Sequence, residues 1–501
     1  MIERYLNKQR SSGVLLHISS LPGPYGIGEI GNEAKAFVND LATMNQQYWQ
    51  ILPTNYPERH NSPYDTNSAF AQNPFLISLD GLIEDGLLSE SDLEPIPEFT
   101  RSRVEFEKLK KWKKTLLKKA ATNFSNADNN DLTKYHEFCR EQGFWLNGYA
   151  TFMVLKEMQD QTDWSNWELK YKKFNEDIID DIESRNKSEI EEIKILQYFF
   201  HKQWKALKTF ANDKGIKLIG DIPIYISFNS SDVWTNQELF KLDKNCKMQC
   251  QSGVPPDHFM ESGQLWGHPI YNWEKHENSD FSWWVNRINH TMQYVDLIRI
   301  DHFNGFAKYW EVPIQDSDAA GGRWVKAKGI ELLKKVFKDN NKVNLIAEDL
   351  GEASVDAAVL RNKYGIPGMN VLQFLFYDGD SIDNIEENTV LYTGTHDNDT
   401  SIGWFESLNS KLSSDEINDL KNILNPDSKG MNWSMIEYSF QARAKTVIVP
   451  VQDILGLGSD SRMNTPGTIS ENNWSWRMDG SELKDTMLRK MRDITEEANR
   501  A

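Results

Sequence analysis

The sequence predicts an α/β protein, a closed (β/α)8 barrel of the TIM type formed by residues 1–501 with large helical and loop insertions. Three observations carry that reading. Eight short apolar, β-rich runs each end in polar or glycine residues, helix-like segments lie between several of them, and their uneven spacing shows where extra chain is inserted. The runs are 13–18, 48–52, 217–219, 295–300, 343–347, 371–374, 390–393 and 447–451. Short runs this apolar suit strands buried on both faces, which parallel sheets covered by helices provide.

The helices follow from a different period. Residues 33–44 and 195–211 are two examples; in the second, Leu196, Phe199, Phe200, Trp204, Leu207 and Phe210 return at helical spacing and make one apolar face. Between the second and third runs lies far more chain than one crossover needs, rich in Lys, Glu, Asn and Leu and helically periodic over 105–119 and 144–158. Residues 80–188 are therefore expected to form a helical subdomain. A second long connection, 227–282, carries Gly, Pro and aromatics in GVPPDHF and GQLWGHPIYNW, and is expected to be a structured lid over the open end of the barrel.

Composition narrows the partners. A net charge of −18 opposes nucleic-acid phosphates and anionic membrane surfaces, leaving a neutral or cationic ligand. The N-terminal residues contain no apolar signal core, and no stretch of about 18 apolar residues occurs, so a cytoplasmic location is expected. Three cysteines fit a reducing compartment, and Cys246 and Cys250, spaced CxxxC without a second pair, do not make a metal site. Seventeen tryptophans within 12% aromatic content favour a carbohydrate, because flat rings stack on the apolar faces of sugars.

Barrel chemistry is carried by the first polar residues beyond each strand. Here they are acidic: Asp221 after run three, Asp301 after run four, Glu348 and Asp349 after run five, Asp397 after run seven. A single strand-end carboxylate commonly caps the next helix, but acidic ends of four strands on one face suit glycoside cleavage, which needs one protonated and one ionised carboxyl across the scissile bond. Arg299 lies two residues before Asp301 and so on the same side of its strand, where a guanidinium favours the ionised nucleophile. Glu348 has no adjacent arginine and is the candidate acid. Asp397 would bind sugar hydroxyls and stabilise positive charge at the anomeric carbon.

These segments resemble the amylomaltase (4-α-glucanotransferase) family of the α-amylase superfamily: RIDHF at 299–303, AEDLG at 347–351, TGTHDNDT at 393–400, SPY and SAFAQNPFLI within 62–77, GDIPIYI at 220–226, GQLWGHPIYNW at 263–273, and RMNTPGT and NNWSWR near the end. The resemblance covers nearly the whole chain in the family's order. It implies a retaining transferase without cofactor or metal, which cuts α-1,4-glucan donors through a covalent glucosyl-enzyme and passes the piece to the 4-OH of glucose or a maltodextrin acceptor. It also implies roles: Asp301 as nucleophile, Glu348 as acid/base, Asp397 as transition-state stabiliser, Arg299 and His396 at the cleavage subsite, Asp221 and Tyr64 as further sugar contacts, and Gln264 and Trp266 in the lid. Asn304, Ala327-Lys328, Asn61 and Asp65 depart from the family's usual residues and bear on subsite preference. No amylase-type C-terminal β-sandwich is expected after Trp476-Arg477. Two rivals share parts of this pattern. A hydrolase would use the same carboxylates with water as acceptor but lack the long lid, and a non-catalytic glucan-binding protein would need no paired carboxylates.

Overall fold

A computed structural model describes residues 9–126, 131–256, 261–351, 354–377, 379–426 and 429–501. Eight parallel strands form one sheet: Ser11–Leu15, Tyr48–Gln50, Lys217–Pro223, Leu297–Asp301, Leu345–Ala347, Gly368–Val371, Thr389–Tyr392 and Thr446–Pro450. Taken as strands one to eight, each except the fifth pairs in parallel with the next, and strand eight returns to strand one. The remaining seam, between strands five and six, is closed where the Ala347 N–H donates to the Pro367 carbonyl at 2.9 Å. Closure leaves no open edge, which is why such short strands suffice.

The interior is packed. Gly13 of strand one is a position where only glycine fits, because a Cβ there would lie 2.5 Å from both the Cβ and the carbonyl oxygen of Tyr48. Across the barrel the Tyr392 hydroxyl donates to Gln50 at 2.8 Å, joining strands seven and two by a buried polar contact. Outside, helix Asn32–Thr43 buries Ala34, Phe37, Val38 and Leu41, and helix Lys187–Asp213 turns Phe199, Phe200, Trp204 and Leu207 inward, as the periodicity predicts.

The connection from strand two to strand three contains helices Phe106–Ser125, Asp131–Glu141, Gly143–Met158 and Glu176–Arg185. Their apolar faces join the barrel's own core in a single buried cluster, with Phe152 packed on Trp167 and Trp234. One long-range tie is polar: Lys156 on helix Gly143–Met158 pairs with the Glu58 carboxylate, which also accepts from Asn229 at 2.6 Å.

One expectation needs correction. The sixth run, read as 371–374, is displaced: the strand is Gly368–Val371, and Leu372–Tyr377 is helical. An unbroken apolar run does not distinguish a buried strand from a buried helix turn, and here it spans the junction of the two. The connection 227–282 shares a sheet with a later connection. Its strands Cys250–Val254 and Gln264–Pro269 join Lys308–Pro313 and Arg323–Lys326, from the connection after strand four, in a four-stranded antiparallel sheet. The last four residues of the 253–260 stretch of this connection lie outside the described residues.

Candidate active site

Register brings the carboxylates together. Asp221 on strand three lies opposite Arg299 on strand four, Pro223 lies opposite Asp301, and Ile300 lies opposite Ala347, so Glu348 emerges beside the end of strand four. Arg299 and Asp301 share a side of their strand. The Arg299 Nη1 donates to Asp221 at 2.6 Å and to Asp301 at 2.9 Å, tying both carboxylates to one buried guanidinium. Burial raises the Asp221 carboxyl to about 6 against the pull of Arg299, while burial's opposite push on Arg299 is overcome by Asp221 and Asp301, which hold it charged. The Tyr64 hydroxyl donates to Asp221 at 2.8 Å, and its ring stacks on His396 with centroids 4.9 Å apart.

Glu348 stands in a different environment. Burial drives its carboxyl up to about 7, opposed by Arg299 and reinforced by the charge of Asp301. The backbone N–H of His302 donates to it at 2.6 Å and that of Leu350 at 3.3 Å. His302 reaches this position with φ of 50°, the left-handed region that costs a side-chain-bearing residue energy. The strain aims one backbone donor from the end of strand four at the carboxyl of strand five.

Asp397 is held from both sides. His396 Nε2 lies 3.3 Å from one carboxylate oxygen and Asn464 Nδ2 donates to the other at 2.6 Å; together they overcome burial and keep the carboxyl well below the usual range. Its side chain still shows 43% of its surface. Strand Gln264–Pro269 borders the opposite edge: the Trp266 ring meets His302 edge-on at 4.7 Å, and its indole N–H donates to Gln264 at 3.1 Å. His268, on the same strand, is lowered by burial despite the charges of Asp65 and Asp301.

All nine residues singled out from sequence therefore converge, but Arg299 and Asp221 lie beneath the cleft rather than lining it, with side chains 5% and 0% exposed. The fourth strand-end carboxylate, Asp349, is structural: it accepts from Arg361 at 2.5 Å and from the Met369 N–H at 3.0 Å across the strand five to six seam. Asn304 is buried and donates to the Leu350 carbonyl at 2.6 Å, so this departure from the family pattern binds the two strand exits to each other. Sequence reasoning gave no task to His302, His268 or Asn464, although each lies inside a quoted motif. Cys246 and Cys250 are free thiols turned toward Gln237 and Glu311. Among the described residues no cluster of three or more His, Cys, Asp or Glu is arranged to hold a metal ion.

Comparison with known proteins agrees with this geometry. Residues 16–483 match the family profile described as 4-alpha-glucanotransferase. A 4-alpha-glucanotransferase of Aquifex aeolicus is 40% identical over 474 residues, covering 94% of this chain and 95% of the relative. One from Thermus thermophilus is 38% identical, covering 97% and 99%. Among solved structures, amylomaltase from Streptococcus agalactiae in complex with acarbose superposes with a TM-score of 0.94 at 38% identity, covering 98% of this chain and 100% of that one.

Proposed function

The chain belongs to the 4-alpha-glucanotransferase family, glycoside hydrolase family 77, and from that membership and the site's geometry we propose how its own residues carry out the reaction. It is a retaining 4-α-glucanotransferase. In our reading Asp301 attacks the anomeric carbon of an α-1,4-glucan as Glu348 gives its proton to the departing glycosidic oxygen. The bond broken is C1–O4 and the bond formed joins C1 to the Asp301 carboxylate. Glu348, now ionised, takes the proton from the 4-OH of an incoming glucose or maltodextrin, which displaces Asp301 and restores the enzyme. Asp397 faces the positive charge that develops at C1, while His396 and Tyr64 present the sugar. Arg299 and Asp221 act from below by orienting Asp301.

The observation that carries this assignment is the contrast between two neighbouring carboxyls. Asp301 is bonded to a buried guanidinium, whereas Glu348 is raised to about 7 and so carries a proton to give near neutrality. The test uses Glu348→Gln with an α-maltosyl fluoride donor, whose leaving group needs no proton. Mass spectrometry of the peptides should find the trapped sugar on Asp301; a label on Glu348 or Asp397 would reverse the roles. We propose also that residues 80–188 act as a helical subdomain and 227–282, with Gln264 and Trp266, as the lid against which the glucan lies. That no helix among the described residues is long and apolar enough to cross a membrane supports a cytoplasmic setting in maltodextrin metabolism, which fractionation of the source cell would test.

A further inference from the structure

The strings RMNTPGT and NNWSWR have no task in the reaction as described, yet the chain beyond strand eight folds back onto the loop that carries Asp397. Arg462 reaches three groups of that region at once. Its Nη2 donates to the backbone carbonyl of Asp397 at 2.9 Å, its Nε to the carbonyl of Asn464 at 3.2 Å, and its Nη1 lies 3.6 Å from the Asp399 carboxylate. Ser459 donates to that same carboxylate at 2.9 Å. Asn464 then grips twice: its N–H donates to the His396 carbonyl at 3.1 Å and its side-chain amide to the Asp397 carboxylate at 2.6 Å. Trp474, held with φ of 65° and donating its N–H to the Met463 carbonyl at 2.6 Å, backs the His396 and Tyr64 rings at 5.9 and 5.6 Å.

We propose that Arg462 and Asn464 are positioning residues for Asp397: Arg462 fixes its backbone and Asn464 fixes the rotation of its carboxylate, so that the charge is aimed before the sugar arrives. This rests on the stabilising role given to Asp397 above. A partly exposed aspartate has two free side-chain torsions, and a carboxylate that must reorient during the reaction loses most of the benefit of its charge. A donor on one oxygen removes the second torsion, and the forked guanidinium, with acceptors in three directions, removes play in the main chain. The alternative is that the clasp merely fastens the C-terminal segment to the barrel.

The two accounts separate in a double-mutant cycle on the full-length protein, with maltotriose for the single variants and maltosyl fluoride for the weak ones. Asn464→Ala should lower kcat on the order of 10²-fold with KM changed less than about threefold. Arg462→Lys, which keeps the charge but cannot fork, should fail to restore the rate of Arg462→Met. In an Asp397→Ala background neither substitution should cost anything further. Equal losses in both backgrounds, or a rise in KM at constant kcat, would overturn the proposal. If Asn464→Ala does not fold, Asn464→Leu, of similar size, uncharged and lacking the donor, carries the same comparison. A near wild-type rate for Asp397→Ala would instead remove the role of Asp397 and this inference with it, an outcome distinguishable from a failure at Asn464 alone.

Discussion

Two buried ion clusters in this molecule use the same ingredients for opposite ends. On the barrel's flank Lys113, from helix Phe106–Ser125, pairs with Glu29 and donates to the Phe75 carbonyl at 2.8 Å, while Glu29 also accepts from the Leu79 N–H at 3.0 Å. Burial raises Glu29 to about 7 against the pull of Lys113, and burial lowers Lys113. Both charges are enclosed and partnered. At the mouth of the barrel Arg299 joins Asp221 and Asp301, but one Asp221 oxygen is buried without a hydrogen-bond partner and the Asp301 side chain is 27% exposed. A closed pair orders a helix against the N-terminal loops; an open one leaves a carboxylate available to react. Burying charge is costly in both places, and only the second converts that cost into reactivity.

Breaking each cluster should therefore fail in a different assay. The largest effect belongs to Asp301→Asn, which should lose at least ~10³-fold in transfer rate while melting close to wild type and still binding glucan; chromatography of maltotriose products, calorimetric binding and a thermal melt check all three. Lys113→Met should do the reverse. It strands the buried Glu29 carboxyl and should cost about 3–5 kcal/mol of stability with kcat per folded molecule unchanged, measured by denaturant unfolding at pH 7. A loss of turnover at full stability would show that the two regions are coupled.

Smaller effects sharpen the contrast through pH. In the proposed mechanism Glu348 must be protonated to cleave the donor, and its carboxyl is raised to about 7, so the basic limb of kcat/KM should fall as pH rises through that value. A limb set instead near 4.5 would remove Glu348 as the acid. For stability the sign follows from Glu29, raised from 4.5 to about 7. A raised carboxyl favours the folded state below the unfolded value and loses that contribution as pH climbs through the folded one. The melting temperature of Glu29→Gln/Lys113→Met should accordingly vary less than that of wild type between pH 4.5 and 7, and the double variant should be close to neutral where the single is not.

The legible parts of this protein were those written in short-range code. Period-two spacing put Arg299 beside Asp301, and an apolar run followed by an acidic residue marked the exits of strands three, four, five and seven. Illegible parts depended on partners far away in the chain. Asp349 looked no different from Glu348 as a strand-end carboxylate, and only its bonds to Arg361 on the following helix and to the Met369 N–H across the seam made it structural. Lys308–Pro313 becomes a strand of the antiparallel sheet because Cys250–Val254 is present to pair with it, and Arg323–Lys326 pairs in turn with Lys308–Pro313.

From the sequence alone came the barrel, the candidate carboxylates at its strand ends and the family, because hydrophobic period and motif spacing are local properties that burial in parallel strands translates directly into position. Tertiary structure decided which carboxyl holds a proton, which charges are sealed and which are open, and that the chain after strand eight returns to clasp Asp397. Those depend on desolvation and on hydrogen-bond geometry between groups far apart in the chain, 78 residues in the case of Arg299 and Asp221, where the energy of a charge is set by what surrounds it and not by its neighbours in sequence.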